Sequence, residues 1–320
     1  MFEQIDLFEP ERYFNECHAA YICEMPNRSL IVSFFGGTRE KAADVGSWIV
    51  KKKIDADTWS EPALFHKVPG KSTGTTHFFV PPERSEIWAF YNLMQGKGRF
   101  AGWSTCNTIR HIYRKNFGWS TDHIRYMIGW NTRGKVLVLD NGDYLFPMHD
   151  ELFYAYRATF LISHDRGKSW RKGGWIKTPK GCLEPSVIQL RDGRLLCFLR
   201  CKEREIYQAW SADRGHHWTA PAATGIPNPD SMVELLLLPD DTIVLAYNHS
   251  TKGRCPLNLR YSKDHARTWS EPVTIADNGS EFSYPCMIYG SDRNIHLVYT
   301  NNRKTIRYTK FSPDWLIHPR

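Results

Sequence analysis

No run of 18 apolar residues occurs in this 320-residue chain, so no segment has the makings of a membrane-spanning helix. The N-terminus, MFEQIDLFEPERYF, lacks the basic start and apolar stretch of a secretory signal. None of the eight cysteines forms a CxxC pair, and several sit inside apolar runs. Buried reduced thiols are therefore expected, not a disulfide framework or a zinc site. Together these absences lead us to expect a cytoplasmic protein. The thirteen histidines show no HExxH or similar spacing, and no Gly-rich loop opens a helix after a strand. Neither a metal nor a nucleotide cofactor is expected. Basic residues are in excess, with a formal net charge of +8, but the densest run is only KKK at 51–53. A charge spread this thinly does not mark a nucleic-acid surface. It suits an acidic partner such as an anionic glycan or a lipid headgroup, with peripheral membrane association left open.

What the chain does have is repetition. SHDRGKSW at 163–170 returns as SADRGHHW at 211–218 and as SKDHARTW at 262–269, where Ala266 replaces the glycine. Weaker echoes end at Trp59, Trp119 and Trp315, and the successive tryptophan spacings are 60, 51, 48, 51 and 46 residues. Six segments keep the same beat, each an apolar run, a polar turn and a second apolar run. They are YICEMPNRSLIVSFF, HFFVPPERSEIWAFY, KVLVLDNGDYLFPM, SVIQLRDGRLLCFL, VELLLLPDDTIVLAY and CMIYGSDRNIHLVY. Runs rich in β-branched and aromatic residues around Asn-Gly or Asp-Gly turns are hairpin signals, and their continuous apolar character suits strands buried on both faces.

Six units of about 50 residues without sustained helical periodicity predict an all-β fold, a six-bladed β-propeller of four-stranded antiparallel blades. It is expected to span 1–320 as one domain, with a loop insertion over residues 92–108. Two stacked β-sandwiches would not give six evenly spaced hairpins. In such a fold Ser163 and Asp165 hold their own turn through backbone amides, Gly167 supplies a positive φ and Trp170 packs between blades. A motif copied into successive blades is scaffold, because one active site cannot use every copy.

The pattern S-x-D-x-G-x-x-W is the Asp box, and its regular recurrence over the whole chain resembles the sialidase (neuraminidase) superfamily. The resemblance implies an exo-acting, retaining glycoside hydrolase for a terminal 2-keto-3-deoxy acid sugar. Glu184 and Arg200 bracket LEPSVIQLRDGRLLCFLR and match the family's central Glu and Arg. Arg254, ahead of the third clear box, matches a further Arg. Tyr284, which opens SYPCMIYGSDRNIHLVY, matches the nucleophile, and Asp44 in GGTREKAADVGSW falls where the acid/base lies. The chemistry explains these residue types. Arginines bind the sugar's carboxylate bidentately, and a neutral Tyr hydroxyl avoids the repulsion a carboxylate nucleophile would meet. A phenol with an ordinary pKa near 10 needs a base, the role of Glu184. Asp44 would protonate the leaving oxygen and later activate water.

One position departs from the pattern. Where the superfamily carries its first clamp arginine, NECHAAYICEMP has His18. His18 as a cation, Arg39 in FGGTRE, or a different substrate are the open alternatives. The ECHA…FGGTRE arrangement resembles a bacterial group of predicted neuraminidases, and relatives in the wider group cleave Kdo (3-deoxy-manno-octulosonic acid). Glu16, Arg133 and Asp150 are further candidates for substrate contact. Two other functions stay open: a non-catalytic glycan-binding propeller, and a polysaccharide lyase with His18 and a Tyr as base and acid.

Overall fold

The computed structural model describes residues 1–82, 85–96, 102–122 and 128–319. Its strands form six antiparallel sheets, and the fold is an all-β six-bladed propeller with almost no helix. Blade 1 comprises Glu16–Glu24, Ser29–Gly37, Gly46–Lys53 and Ala63–His66. Blade 2 comprises His77–Phe79, Glu86–Met94, Cys106–Arg114 and Gly118–Asp122. Blade 3 is Trp130–Thr132, Tyr144–Asp150, Arg157–Ser163 and Arg171–Ile176, with the short Leu137–Val138 strand added. Blade 4 is Cys182–Gln189, Leu195–Cys201, Glu205–Ser211 and Ala222–Pro227. Blade 5 is Glu234–Leu237, Ile243–Asn248, Leu257–Ser262 and Val273–Ala276. Blade 6 takes Phe282–Tyr289, Ile295–Asn301 and Thr305–Phe311 from the end of the chain. Its outer strand is Phe2–Asp6, paired antiparallel with Thr305–Phe311.

The chain divides into two compact units. Met1–Ile128 with Glu281–Arg320 carries blades 1, 2 and 6, and Gly129–Ser280 carries blades 3, 4 and 5. The second strands of blades 3, 5 and 6, Tyr144–Asp150, Ile243–Asn248 and Ile295–Asn301, are buried at every position. This is why those stretches lack the polar–apolar alternation of a half-exposed strand. The fourth strand of blade 3, Arg171–Ile176, is by contrast largely open to water and begins with Arg171 and Lys172. Separate apolar clusters centre on Phe34 and Tyr308 in the first unit, and on Phe160 and Leu245 in the second.

Five hairpins join their first two arms by the same three-residue connection, with its last residue left-handed: Arg28, Gly142, Gly193, Asp241 and Arg293. A type I turn followed by such a residue matches the twist of the flanking strands. The third hairpin differs from expectation. Its first arm is split, because Leu137–Val138 pairs with Tyr144 and Leu145 while Trp130–Thr132 pairs with Met148–Asp150. Pro147 stands at the break and brings no N–H to the ladder. In blade 2, residues 92–94 and 106–108 continue strands, so the insertion is shorter than expected; its residues 97–101 lie outside the described residues.

The Asp boxes link the third and fourth strands of blades 3, 4 and 5. In the first box, Ser163 Oγ accepts the Gly167 N–H at 2.7 Å and Asp165 Oδ1 accepts the Ser169 N–H at 2.8 Å. The second and third boxes repeat both bonds through Ser211 with Asp213 and Ser262 with Asp264. Trp218 then stacks on Phe160 of the preceding blade at 4.4 Å, and Trp269 packs on Phe198 at 5.6 Å. The box is a turn clamp, and in blades 4 and 5 its tryptophan is a wedge between blades; Trp170, expected to do the same, lies instead against Tyr144 and Phe146 of its own blade. Trp315 does not share this role. It sits in the short helix Pro313–Ile317 and stacks on Phe2 at 4.4 Å, because the fourth strand of blade 6 comes from the N-terminus.

Ala266 occupies the left-handed glycine position with φ +63°, against +78° for Gly167 and +91° for Gly215. Relieving the Cβ clash outweighs the extra freedom glycine gains in the unfolded chain. Ala266→Gly is expected to stabilise the protein by about 0.5–1 kcal/mol, read as a higher urea midpoint.

Candidate functional site

Two first strands carry the same irregularity. In blade 4, Leu183 pairs with Arg200 but Ser186 pairs with Phe198, leaving one extra residue on the first strand. In blade 6, Ser283 pairs with Thr300 and Cys286 with Val298. The bulged residues are Glu184, with φ +51°, and Tyr284, with φ +56°, and each is followed by a proline. Bulges turn a side chain out of the regular pleat, and a left-handed non-glycine residue costs of order 1–3 kcal/mol. Blade 1 bulges at the same level, between His18 and Tyr21, with Ala19 at φ +61°. Its backbone is secured by Thr300 Oγ1, which accepts the Ala19 N–H, and by Thr75 Oγ1, which donates to the Ala19 carbonyl.

In the second unit, Glu184 is only 5% exposed and accepts a hydrogen bond from Arg200 Nη1 at 2.9 Å. Arg200 Nε donates to Asp230 Oδ1 at 2.7 Å, so one guanidinium bridges two carboxylates. Burial by itself would raise the Glu184 carboxyl. The charges of Arg200, His149 and Arg133, with the Arg200 hydrogen bond, bring it down to about 2. Glu184 is thus a carboxylate at neutral pH. Arg133 is buried, with Nη2 3.6 Å from Met232 Sδ. Asp150 is held by Arg157 at 2.8 Å and accepts the Leu152 N–H at 2.9 Å, so it shapes the turn between the second and third strands of blade 3. Arg254 stands half-buried in the loop between the second and third strands of blade 5, ahead of the cis Cys255–Pro256 bond.

In the first unit, Tyr284 packs against the apolar cluster of Ala19, Phe35 and Val45, which Trp103 also borders. The His18 ring lies edge-on to it at 4.5 Å and 68°. Arg303, in the turn after Ile295–Asn301, reaches Glu281 at 3.0 Å and Glu40 at 2.9 Å, and its Nη2 lies 3.3 Å from His18 Nε2. Glu16 accepts the Glu40 N–H at 3.0 Å and stands 4.0 Å from Arg303. Trp103 Nε1 donates to Glu40 at 2.8 Å. Arg39 and Asp44 lie exposed on the loop between the second and third strands of blade 1.

Asp44 Oδ2 accepts both the Thr38 N–H, at 2.8 Å, and the Thr38 hydroxyl, at 2.7 Å. Slight burial pushes its carboxyl up, but these bonds and the charge of Lys67 hold it below the usual carboxylate range. A general acid must carry its proton, and the Thr38 bonds favour the unprotonated form of Asp44. If Asp44 donates the proton, removing the hydroxyl in Thr38→Val raises its folded pKa. The descending alkaline limb of kcat against pH then moves to higher pH, which a rate profile measures directly.

Among the described residues, no group of three or more His, Cys, Asp or Glu could hold a metal ion. All eight cysteines are free thiols, six of them buried. No helix of the described residues is long and apolar enough to cross a membrane.

A family model described as the BNR repeat-like domain matches residues 28–297. The chain belongs to this family. Among curated proteins, a sialidase of Bacteroides fragilis (strain YCH46) is 24% identical over an alignment of 183 residues that covers 53% of this chain. The match spans 33% of that sialidase, so the chain accounts for about a third of the relative's length. Solved structures similar to this BNR repeat-like chain include Hadza microbial sialidase Hz136, with a TM-score of 0.82 at 14% identity over 97% of this chain and 68% of that one. A protein of unknown function from Dyadobacter fermentans has a TM-score of 0.79 at 17% identity, covering 96% and 97% of the two chains. Trypanosoma rangeli sialidase has a TM-score of 0.79 at 11% identity, covering 99% and 60%. Likenesses at these identities establish the propeller fold.

The structure brings Glu184 together with Arg200, and His18 with Tyr284. It gives Asp150 to Arg157 and leaves Arg39 exposed on its loop. Arg303, Glu40, Glu281 and Asp230 escaped the sequence reading. Each lies in a turn or loop that reads as a solvated connection, and nothing in the repeat pattern marks it.

Proposed function

We propose that this chain is an exo-acting, retaining glycoside hydrolase that removes a terminal 2-keto-3-deoxy acid sugar, sialic acid or a Kdo-like relative, from an anionic glycan or glycolipid. The observation that carries this reading is the matched pair of left-handed bulges at Glu184 and Tyr284. Backbone strain persists where its surroundings over-determine it, and of the three such bulges, at Ala19, Glu184 and Tyr284, two fall on a carboxylate and a phenol. Membership of the BNR repeat-like family and the sialidase relatives support the same direction.

In this mechanism Tyr284 Oη attacks the anomeric carbon and Glu184 takes its proton. Asp44 protonates the departing oxygen, then deprotonates the water that releases the sugar. Arg200 and Arg254 hold the sugar's carboxylate. A carboxylate whose acid form has a pKa of about 2 is a weak base for a free phenol. It takes the proton as the bond to carbon forms, when the phenolic oxygen becomes far more acidic.

A non-catalytic glycan-binding propeller is the second reading, favoured by His18 in the place of the first clamp arginine. Incubation with aryl ketosides of sialic acid and of Kdo separates the two. Release of the phenol from either substrate supports the hydrolase; no release, with glycan binding retained, supports the binding module.

A further inference from the structure

Arg303 has every nitrogen of its guanidinium committed: Nε to Glu281, Nη1 to Glu40 and Nη2 to His18. A guanidinium only donates, so His18 Nε2 must offer its lone pair at the 3.3 Å contact. The proton of the imidazole then sits on Nδ1. We propose that Arg303 is a positioning residue that holds His18 as the neutral Nδ1–H tautomer beside Tyr284. The ring is thereby held uncharged where the sialidase resemblance expects an arginine.

The surroundings of the ring favour this state. His18 is 2% exposed, and its ring lies against Phe35 at 5.6 Å and Tyr284 at 4.5 Å. The charged groups facing it are Arg303 at 3.3 Å and Glu281 at 4.0 Å, with Glu40 and Glu16 behind the arginine. Glu281 would favour an imidazolium, but it is farther away. It also already accepts from Arg303 and, at 2.7 Å, from the Ser283 hydroxyl. A protonated ring would set an N–H against a guanidinium N–H, two like charges meeting at a ring that is itself buried. The arginine is itself anchored to the His18 strand, since the Cys17 N–H donates to the Arg303 carbonyl at 2.8 Å. His18 therefore keeps an uncharged ring over the range where a free imidazole titrates, near pH 6.5.

That this neutral ring bears on a sugar rests on the glycosidase reading; the tautomer does not. The test is ¹⁵N NMR of the full chain with labelled histidine, the His18 signals identified by their loss in His18→Gln. The expected result is a protonated-type Nδ1 and a lone-pair-type Nε2 for His18, unchanged between about pH 5 and 8, the window in which free imidazole titrates. In Arg303→Gln the tautomer preference is lost and His18 titrates, while Arg303→Lys, which still donates a charged N–H, restores the wild-type pattern. An Nε2–H or cationic ring in the wild type overturns the proposal, as does an Arg303→Gln protein whose His18 signals do not move. On any ketoside that is cleaved, KM gains a pH dependence near pH 6–7 in Arg303→Gln only. If the NMR result holds and no ketoside is cleaved, the glycosidase reading fails and the Arg303 assignment stands.

Discussion

Tyr284→Phe is expected to lower kcat/KM on the cleaved ketoside by about three orders of magnitude, or about 4 kcal/mol of transition-state stabilisation. The substitution removes one oxygen and keeps the ring. The packing against the cluster of Ala19, Phe35 and Val45 therefore survives, and so does the edge contact with His18. Urea midpoints of the two proteins should agree closely, and substrate affinity should persist. Kinetics together with a binding isotherm on the same preparation check this. A phenylalanine protein that keeps its rate would remove Tyr284 from the chemistry.

Arg200→Met should cost stability more than any other single change near the site, about 3–5 kcal/mol at neutral pH. It strips Glu184, 5% exposed, of the donor at 2.9 Å while leaving the carboxylate buried, and it also unpairs Asp230. Arg133 and His149 still act on Glu184, which places the loss toward the lower end. The pH dependence has a definite sign. The folded carboxyl, at about 2, lies below its unfolded value of about 4.3, so Glu184 contributes stability above about pH 4.3. That contribution is lost as pH falls toward 2. Without Arg200 the folded value rises, and the deficit of the variant is therefore largest at neutral pH and shrinks below about pH 4. Urea unfolding at several pH values measures it, and Glu184→Gln in the Arg200→Met background should recover part of the loss.

The propeller was legible because its evidence is periodic: tryptophans near every fiftieth residue and hairpins between them. Turns written DNG and RDG announced themselves, whereas PNR, PDD and SDR adopt the same left-handed last position without a glycine. The split arm of blade 3 follows from Pro147, which the apolar run masked. Glu184 and Tyr284 were found by family resemblance, but their bulges were not. Register is a property of two strands, and only Glu184-Pro185 and Tyr284-Pro285 hinted at it. Arg303 was invisible for a related reason. Its partners Glu40 and His18 are 263 and 285 residues away, and only blade closure brings them near. Asp150 looked like a ligand for substrate because it ends a strand beside His149; Arg157, across the hairpin, already engages it.

The decisive measurement is a ¹H NMR time course of the wild-type chain with an aryl ketoside of sialic acid or of Kdo, reading the anomer of the first sugar released. A double displacement through Tyr284 predicts release with the substrate's own anomeric configuration, and no release by Tyr284→Phe. Release of the opposite anomer, or a ketoside that binds and stays intact in the wild type, would contradict it.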